Sequence, residues 1–334
     1  MSALNASLQD YLYPNIHALL VNQGGVTLHE SYYSGEDVCW GEHAGIVNFN
    51  SASLHDVRSI TKSIIGTLYG VALGEKLVPA LNNPIIVTYP EYRTNADYDD
   101  ITIEHVLNMT AGINWCEDYS YDDPRNDEIA MERAVDRYDY IFTRLRTGPA
   151  GVTWRYSGGC SALLGGAISR MSGKPLSRYA EQALFAPLEI NDAAWYSGAD
   201  GVDSAASGLR LTARDLLKVG QLILNNGQYK GTQLVPVSWI EAMLKPRIKT
   251  NDDYFCAYGY HWFAGRHYHR DKNTYLTWHA AIGNGGQLLF ICPDLRAVVV
   301  IFSGEYNNDC VWLYIERLLE CYIIPALING KRRI

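Results

Sequence analysis

The chain has 334 residues, 48% hydrophobic and 19% charged, enough apolar material for one large domain or two. A net charge of -8, a pI near 5.6 and no block of lysines or arginines argue against nucleic acid as the main partner. No apolar window approaches the length that spans a bilayer, so no membrane partner is expected.

The first ten residues have neither a basic start nor an apolar stretch, so no secretory signal is visible. The seven cysteines, Cys39, Cys116, Cys160, Cys256, Cys292, Cys310 and Cys321, are odd in number and never arranged as Cys-x-x-Cys. That usage suits free thiols in a reducing compartment, and a soluble, cytoplasmic protein is expected. Lys331-Arg332-Arg333 reads as a solvated end.

Residues 16–33 read as a hairpin, with a strand over 18–21, a turn at Asn22-Gln23-Gly24-Gly25 and a second strand over 26–33. From Ser59 to about Ser204 helical patterns dominate, as in 102–107 and 160–170. Thr212-Ala213-Arg214-Asp215 resembles a capping box, which makes Asp215 a cap and predicts a helix ending at Asn226-Gly227. Residues 286–292 and 297–302 are two β-rich runs joined by the turn signal Pro293-Asp294-Leu295-Arg296, and helix returns over about 309–326. Strands at both ends with helices between predict an α+β fold: an antiparallel sheet with flanking helices from residues 1–75 and 205–334, and a mostly helical inserted domain at 76–204.

The only Ser-x-x-Lys tetrapeptide, Ser59-Ile60-Thr61-Lys62, opens a helical run. Positions three apart share a helix face, so Lys62 can reach the Ser59 hydroxyl, and free N–H groups in the first turn favour an anion forming there. A serine alcohol needs such a neighbour to take its proton. A second candidate is Trp154-Arg155-Tyr156-Ser157-Gly158-Gly159, whose Tyr156 could relay a proton beside the Lys62 charge. A third is His279-Ala280-Ala281-Ile282-Gly283-Asn284-Gly285-Gly286-Gln287, where glycines permit close backbone approach and a strand edge offers N–H groups to an oxyanion.

In this order, with Val106-Leu107-Asn108-Met109-Thr110-Ala111-Gly112-Ile113-Asn114-Trp115 and Gly208-Leu209-Arg210-Leu211-Thr212-Ala213-Arg214-Asp215 between them, these elements resemble the serine β-lactamase and penicillin-binding-protein-like superfamily. The likeness spans nearly the whole chain, and its nearest branch is the class C-like esterases and amidases grouped with aminohexanoate-dimer hydrolases. It implies Ser59 as nucleophile, Lys62 as its proton partner and Tyr156 as the donor to the leaving group. The oxyanion hole would be formed by the N–H groups of Ser59 and Ile282, and substrate would be bound by Trp115, His279 and Gly283. Whether Lys62 or Tyr156 is the general base stays open.

Two departures redirect the substrate. Where the β-lactamases carry Tyr-x-Asn this chain has Gly158, and where they carry Lys-Thr-Gly it has His279-Ala280-Ala281. The expected activity is therefore that of a small-molecule carboxylesterase or amidase with little action on β-lactams, working without cofactor or metal. His261, His267, His269 and His279 lack a carboxylate at ligand spacing. The acidic, aromatic stretch 115–123 reads as a solvated loop, or as a feature that attracts amines and disfavours anionic substrates. A catalytically silent binder or sensor and a D,D-peptidase are the alternatives, and the sequence sets no oligomeric state.

Overall fold

The structure, a computed structural model, describes residues 15–93, 95–269 and 272–329. The opening ten residues and the basic end at 331–333 lie outside them. Both ends of the described chain build one eight-stranded antiparallel sheet. Its order is Ile248–Lys249, Ala257–Gly259, Trp262–His269, Thr274–Gly283, Gln287–Cys292, Ala297–Ser303, Ile16–Gln23 and Val26–Tyr32. The first and last segments thus meet at the Ile16–Gln23 and Ala297–Ser303 pair, with Leu19 opposite Ile301.

Both expected hairpins are present. Gly24 and Gly25 take φ values of 60° and 86°, the left-handed pair that a two-residue turn matching strand twist requires. The second hairpin turns through a short 3-10 segment, Pro293–Leu295, and all seven residues of Ala297–Ser303 are buried. The helix Ala213–Leu224 follows Thr212, whose hydroxyl accepts from the Asp215 N–H. Asp215 does not close a reciprocal box, because its carboxylate accepts from the Thr212 hydroxyl and from Lys218.

The helix Ile60–Gly74 is buried from Ile60 through Ala72, because other elements surround it on every side. Full burial of each of Ile60, Ile64, Ile65 and Leu68 contributes about 1.5–3 kcal/mol, which fixes the helix start and the residue before it. The middle of the chain is less regular than its helical patterning suggests. Helices Ile103–Leu107, Asp127–Glu132, Arg137–Phe142 and Gly158–Ser172 are separated by the irregular segments 108–126 and 143–157. Side chains hold these segments in place of backbone ladders: Asn126 donates to Tyr119 O at 2.8 Å, and Asp127 accepts from the Cys116 N–H at 2.7 Å. A two-stranded ribbon, Ser34–Cys39 with Glu42–Asn48, was not marked by any clear alternation in the sequence.

Candidate active site

Ser59 stands at the N-cap position of the buried helix, yet its side chain makes no capping bond, so its hydroxyl is left available. The residue before it, Arg58, has φ 49°, a left-handed value that is sterically costly for a side chain of this size. Arg58 is held there by Asp56 at 3.3 Å and by the Tyr306 ring, 4.7 Å from its guanidinium carbon. A tightly held, strained step thus delivers Ser59 to the helix start.

Lys62, 1% exposed, uses all three of its N–H groups: 3.0 Å to Ser59 Oγ, 2.8 Å to Glu128 Oε2 and 3.1 Å to Ala206 O. Burial works against its charge, but the Glu128 carboxylate first, then Tyr156 and Glu117, reverse that effect and hold the amine protonated well above the ordinary lysine range. Glu128 is held below the usual carboxylate range: burial pushes it up, and the charge and hydrogen bond of Lys62 outweigh that.

Glu117 completes this buried cluster. Its Oε1 accepts from Trp115 Nε1 at 2.6 Å and from the Gly158 N–H at 2.5 Å, while Oε2 lies 4.0 Å from Lys62 and receives no N–H or O–H. Burial raises its carboxyl to about 7, partly opposed by Lys62 and reinforced by Glu128. Glu117 and Glu128 thus stand together as two buried acids against the single Lys62 ammonium.

Tyr156 adjoins Ser59, and its ring centroid lies 4.9 Å from Lys62 Nζ. Burial pushes the phenol up to about 12 even against the Lys62 charge, so it rests as a neutral donor. Across the site the strand Thr274–Gly283 outruns its neighbour Trp262–His269, whose last partner is Ala280. Ala281 to Gly283 therefore have no partner strand on that side, which leaves backbone donors available. Gly283 packs against the helix start so closely that a Cβ there would lie 2.5 Å from Val57 O and 3.1 Å from the Ser59 nitrogen.

Ser59, Lys62, Tyr156 and the Ile282–Gly283 strand end thus converge, although long stretches of sequence separate them. The other expected substrate contacts are placed differently. Trp115 is fully buried, its indole spent on Glu117 and its ring packed against Gly159, so it does not reach a solvent-filled space. His279 is 7% exposed within the sheet, paired with Ala264 and Ile291, and burial lowers its pKa to about 4. It is a neutral imidazole, not a cation facing a ligand. The acidic stretch is divided. Glu117 turns inward to Lys62, whereas Tyr121 and Asp122 line a cavity of about 660 Å³ next to the site. Arg58, Ser207 and Asn284 also line that cavity, and Glu36, Glu42 and Glu132 add acidic groups.

His261, His267 and His269 do not assemble into a ligand set: His261 bridges Ser161 and Leu107 O, and His267 pairs with Glu320. Sequence reasoning missed Glu128. Asn126 as an N-cap signals its helix, but nothing in spacing indicates a contact that crosses 66 positions.

The family model described as Beta-lactamase matches residues 10–309. A 6-aminohexanoate-dimer hydrolase of Paenarthrobacter ureafaciens is 26% identical over 313 residues, covering 87% of this chain and 73% of that protein. Among solved structures, a candidate 6-aminohexanoate-dimer hydrolase from Bacillus anthracis superposes with TM-score 0.77 at 20% identity, over 99% of this chain and 82% of its own. A D-stereospecific amidohydrolase from a Streptomyces species gives TM-score 0.66 at 18% identity, over 94% and 96%. These structural likenesses carry the α+β fold expected from the sequence.

Proposed function

The chain belongs to the beta-lactamase family and is a serine hydrolase of ester or amide bonds, and on that premise we propose that Ser59 carries the acyl group. The observation that supports this best is the Lys62 ammonium 3.0 Å from Ser59 Oγ, with the Tyr156 ring 4.9 Å from the same amine.

The resting charges suggest the route. Lys62 as an ammonium cannot accept the Ser59 proton, so it first passes one to Glu128 Oε2, 2.8 Å away. The neutral amine then takes the Ser59 proton while Oγ bonds to the substrate carbonyl carbon. The N–H groups of Ser59 and Ile282 stabilise the oxyanion. Tyr156 donates its proton to the leaving atom and is recharged from Lys62. Water then attacks the acyl carbon as the neutral Lys62 takes its proton, Ser59 Oγ leaves with a proton from Tyr156, which Lys62 again recharges, and the last proton returns from Glu128 to Lys62.

We assign the cleft to the junction of two units, residues 1–75 with 205–334 and residues 76–204. The substrates are small molecules, and the acidic side chains around the 660 Å³ cavity favour amine-bearing ones over anionic ones. Little β-lactam turnover is expected. A Cβ on Gly158 would meet Glu128 Oε2 at 2.9 Å and Ala206 Cβ at 3.0 Å, so no amide side chain fits there, and His279 supplies no charge. Among the described residues no helix is long and apolar enough to cross a membrane, and all seven cysteines are unpaired, which suits a cytoplasmic location.

Treatment with a fluorophosphonate probe and intact-mass measurement tests the nucleophile. One adduct, mapped to Ser59 and lost in Ser59→Ala together with p-nitrophenyl ester turnover, is expected. An unlabelled parent protein with no esterase activity supports instead a silent binder of the same fold.

A further inference from the structure

We propose that His17, Asp37 and His55 form a three-ligand site for a divalent transition-metal ion of the zinc type, built into the wall of the cavity beside the serine. The three side chains come from different strands, Ile16–Gln23, Ser34–Cys39 and His55–Asp56, and are 0%, 4% and 0% exposed.

Hydrogen bonding fixes the tautomers. His55 Nδ1 lies 3.0 Å from the Asp56 carbonyl, which can only accept, so Nδ1 carries the hydrogen and Nε2 is bare. Asn15 spends its amide N–H on Glu36 O at 2.9 Å, so its Oδ1 faces His17 Nε2 at 3.0 Å and must receive an N–H from it. His17 Nδ1 is therefore bare as well. These two bare nitrogens face each other at 2.8 Å, an arrangement that repels unless a positive centre lies between them. Asp37 Oδ1 supplies the third corner, 3.6 Å from His55 Nε2 and 3.9 Å from His17 Nδ1.

The three edges bracket the roughly 3.4 Å that a tetrahedral ion with bonds of about 2.1 Å requires, so a small opening of the two rings admits one. Two imidazoles and a carboxylate are the donor set zinc accepts with one position left for water or a ligand. The surroundings are those of ligating groups. Each imidazole donates its outer N–H to a carbonyl oxygen, and Tyr306 donates to Asp37 Oδ1 at 2.9 Å. Phe49 stacks on His17 and Phe302 on His55, which keeps water from the rings. Asp37 and Tyr306 line the cavity, which provides a path of entry. A proton is the competing occupant.

The test uses the full chain, stripped with a chelator and titrated with Co²⁺ alone. One equivalent should bind and give the visible bands of a four-coordinate ion, and Zn²⁺ should displace it. Asp37→Asn should weaken binding by about a hundredfold or more, whereas His267→Gln should leave it unchanged. If Asp37→Asn does not fold, Tyr306→Phe, which removes only the supporting bond, should weaken binding about tenfold to a hundredfold. Failure to take up either metal at about 100 μM, or uptake indifferent to both variants, overturns the site and leaves a shared proton between the histidines.

Discussion

Lys62 Nζ lies closer to Glu128 Oε2, at 2.8 Å, than to Ser59 Oγ, at 3.0 Å, so the amine that must activate the serine rests as the partner of a buried carboxylate. Glu128→Gln keeps the shape and an acceptor but removes the charge and the proton sink. The lysine then titrates at lower pH, and loss of one partner from a buried pair costs about 3–5 kcal/mol of stability when the other stays charged. With no carboxylate to take the first proton, kcat/KM should fall about a hundredfold or more. A pH–rate profile decides the role: a variant within about threefold of the parent, merely displaced to lower pH, would remove Glu128 from the proton path.

Glu117 gives a pH signature that is separate from turnover. Its folded value of about 7 lies above the unfolded 4.5, so the folded chain binds this proton more tightly. That contribution is full below 4.5 and is lost as pH rises through about 7. Glu132, also raised to about 7 by burial against the opposing Arg137 charge, adds to the same window. Glu117→Gln reproduces the neutral acid and still accepts from Trp115 and Gly158. The difference in Tm between variant and parent should grow from pH ~5 to pH ~8, reaching about 2–4 °C in favour of the variant. A constant difference across that range would place the carboxyl proton elsewhere.

What the sequence made legible was whatever rests on local chemistry. Ser59 and Lys62 meet because three positions on a helix share a face, and the hairpins announce themselves by Gly24-Gly25 and by Pro293–Leu295. Tyr156 and Ile282 could be placed only through the family resemblance, since their approach depends on tertiary packing. Glu117 and Glu128 were opaque for the same reason: an acidic loop residue usually points to water, and only the buried ammonium makes turning inward favourable. Trp115 was misplaced because an aromatic next to a motif looks the same whether it lines a cleft or, as here, supports the acid behind it. His17, His55 and Asp37 gave no signal, because no ligand spacing connects three strands separated by 38 positions or fewer.

Tyr156→Phe separates leaving-group protonation from nucleophile activation. The ring still packs between Trp154 and Phe263, so folding should be preserved. Amide hydrolysis, which needs a proton on the departing nitrogen, should lose about a hundredfold to ten-thousandfold. A p-nitrophenyl ester, whose phenolate departs unprotonated, should lose at least about tenfold less. Equal losses on both substrates would assign Tyr156 to the attack step.

Gly283→Ala probes the oxyanion hole without touching a donor. The new Cβ would lie 2.5 Å from Val57 O, 3.0 Å from Arg58 Cβ and 3.1 Å from the Ser59 nitrogen, and none of these atoms can swing aside. Either the strand end or the helix start must therefore shift by a few tenths of an ångström, and the spacing between the Ile282 and Ser59 N–H groups changes with it. Outright loss of one such donor costs about a hundredfold to a thousandfold in kcat, so displacement should cost about tenfold to a hundredfold. KM should change little, because the ground-state carbonyl depends less on the donors than the oxyanion does. The rate of phosphonate labelling at Ser59 should fall in parallel with kcat, since the phosphonyl oxygen occupies the same pocket. If labelling stays at the parent rate while ester turnover drops, the shift has disturbed acyl-group release, and the oxyanion donors must be sought away from this strand end.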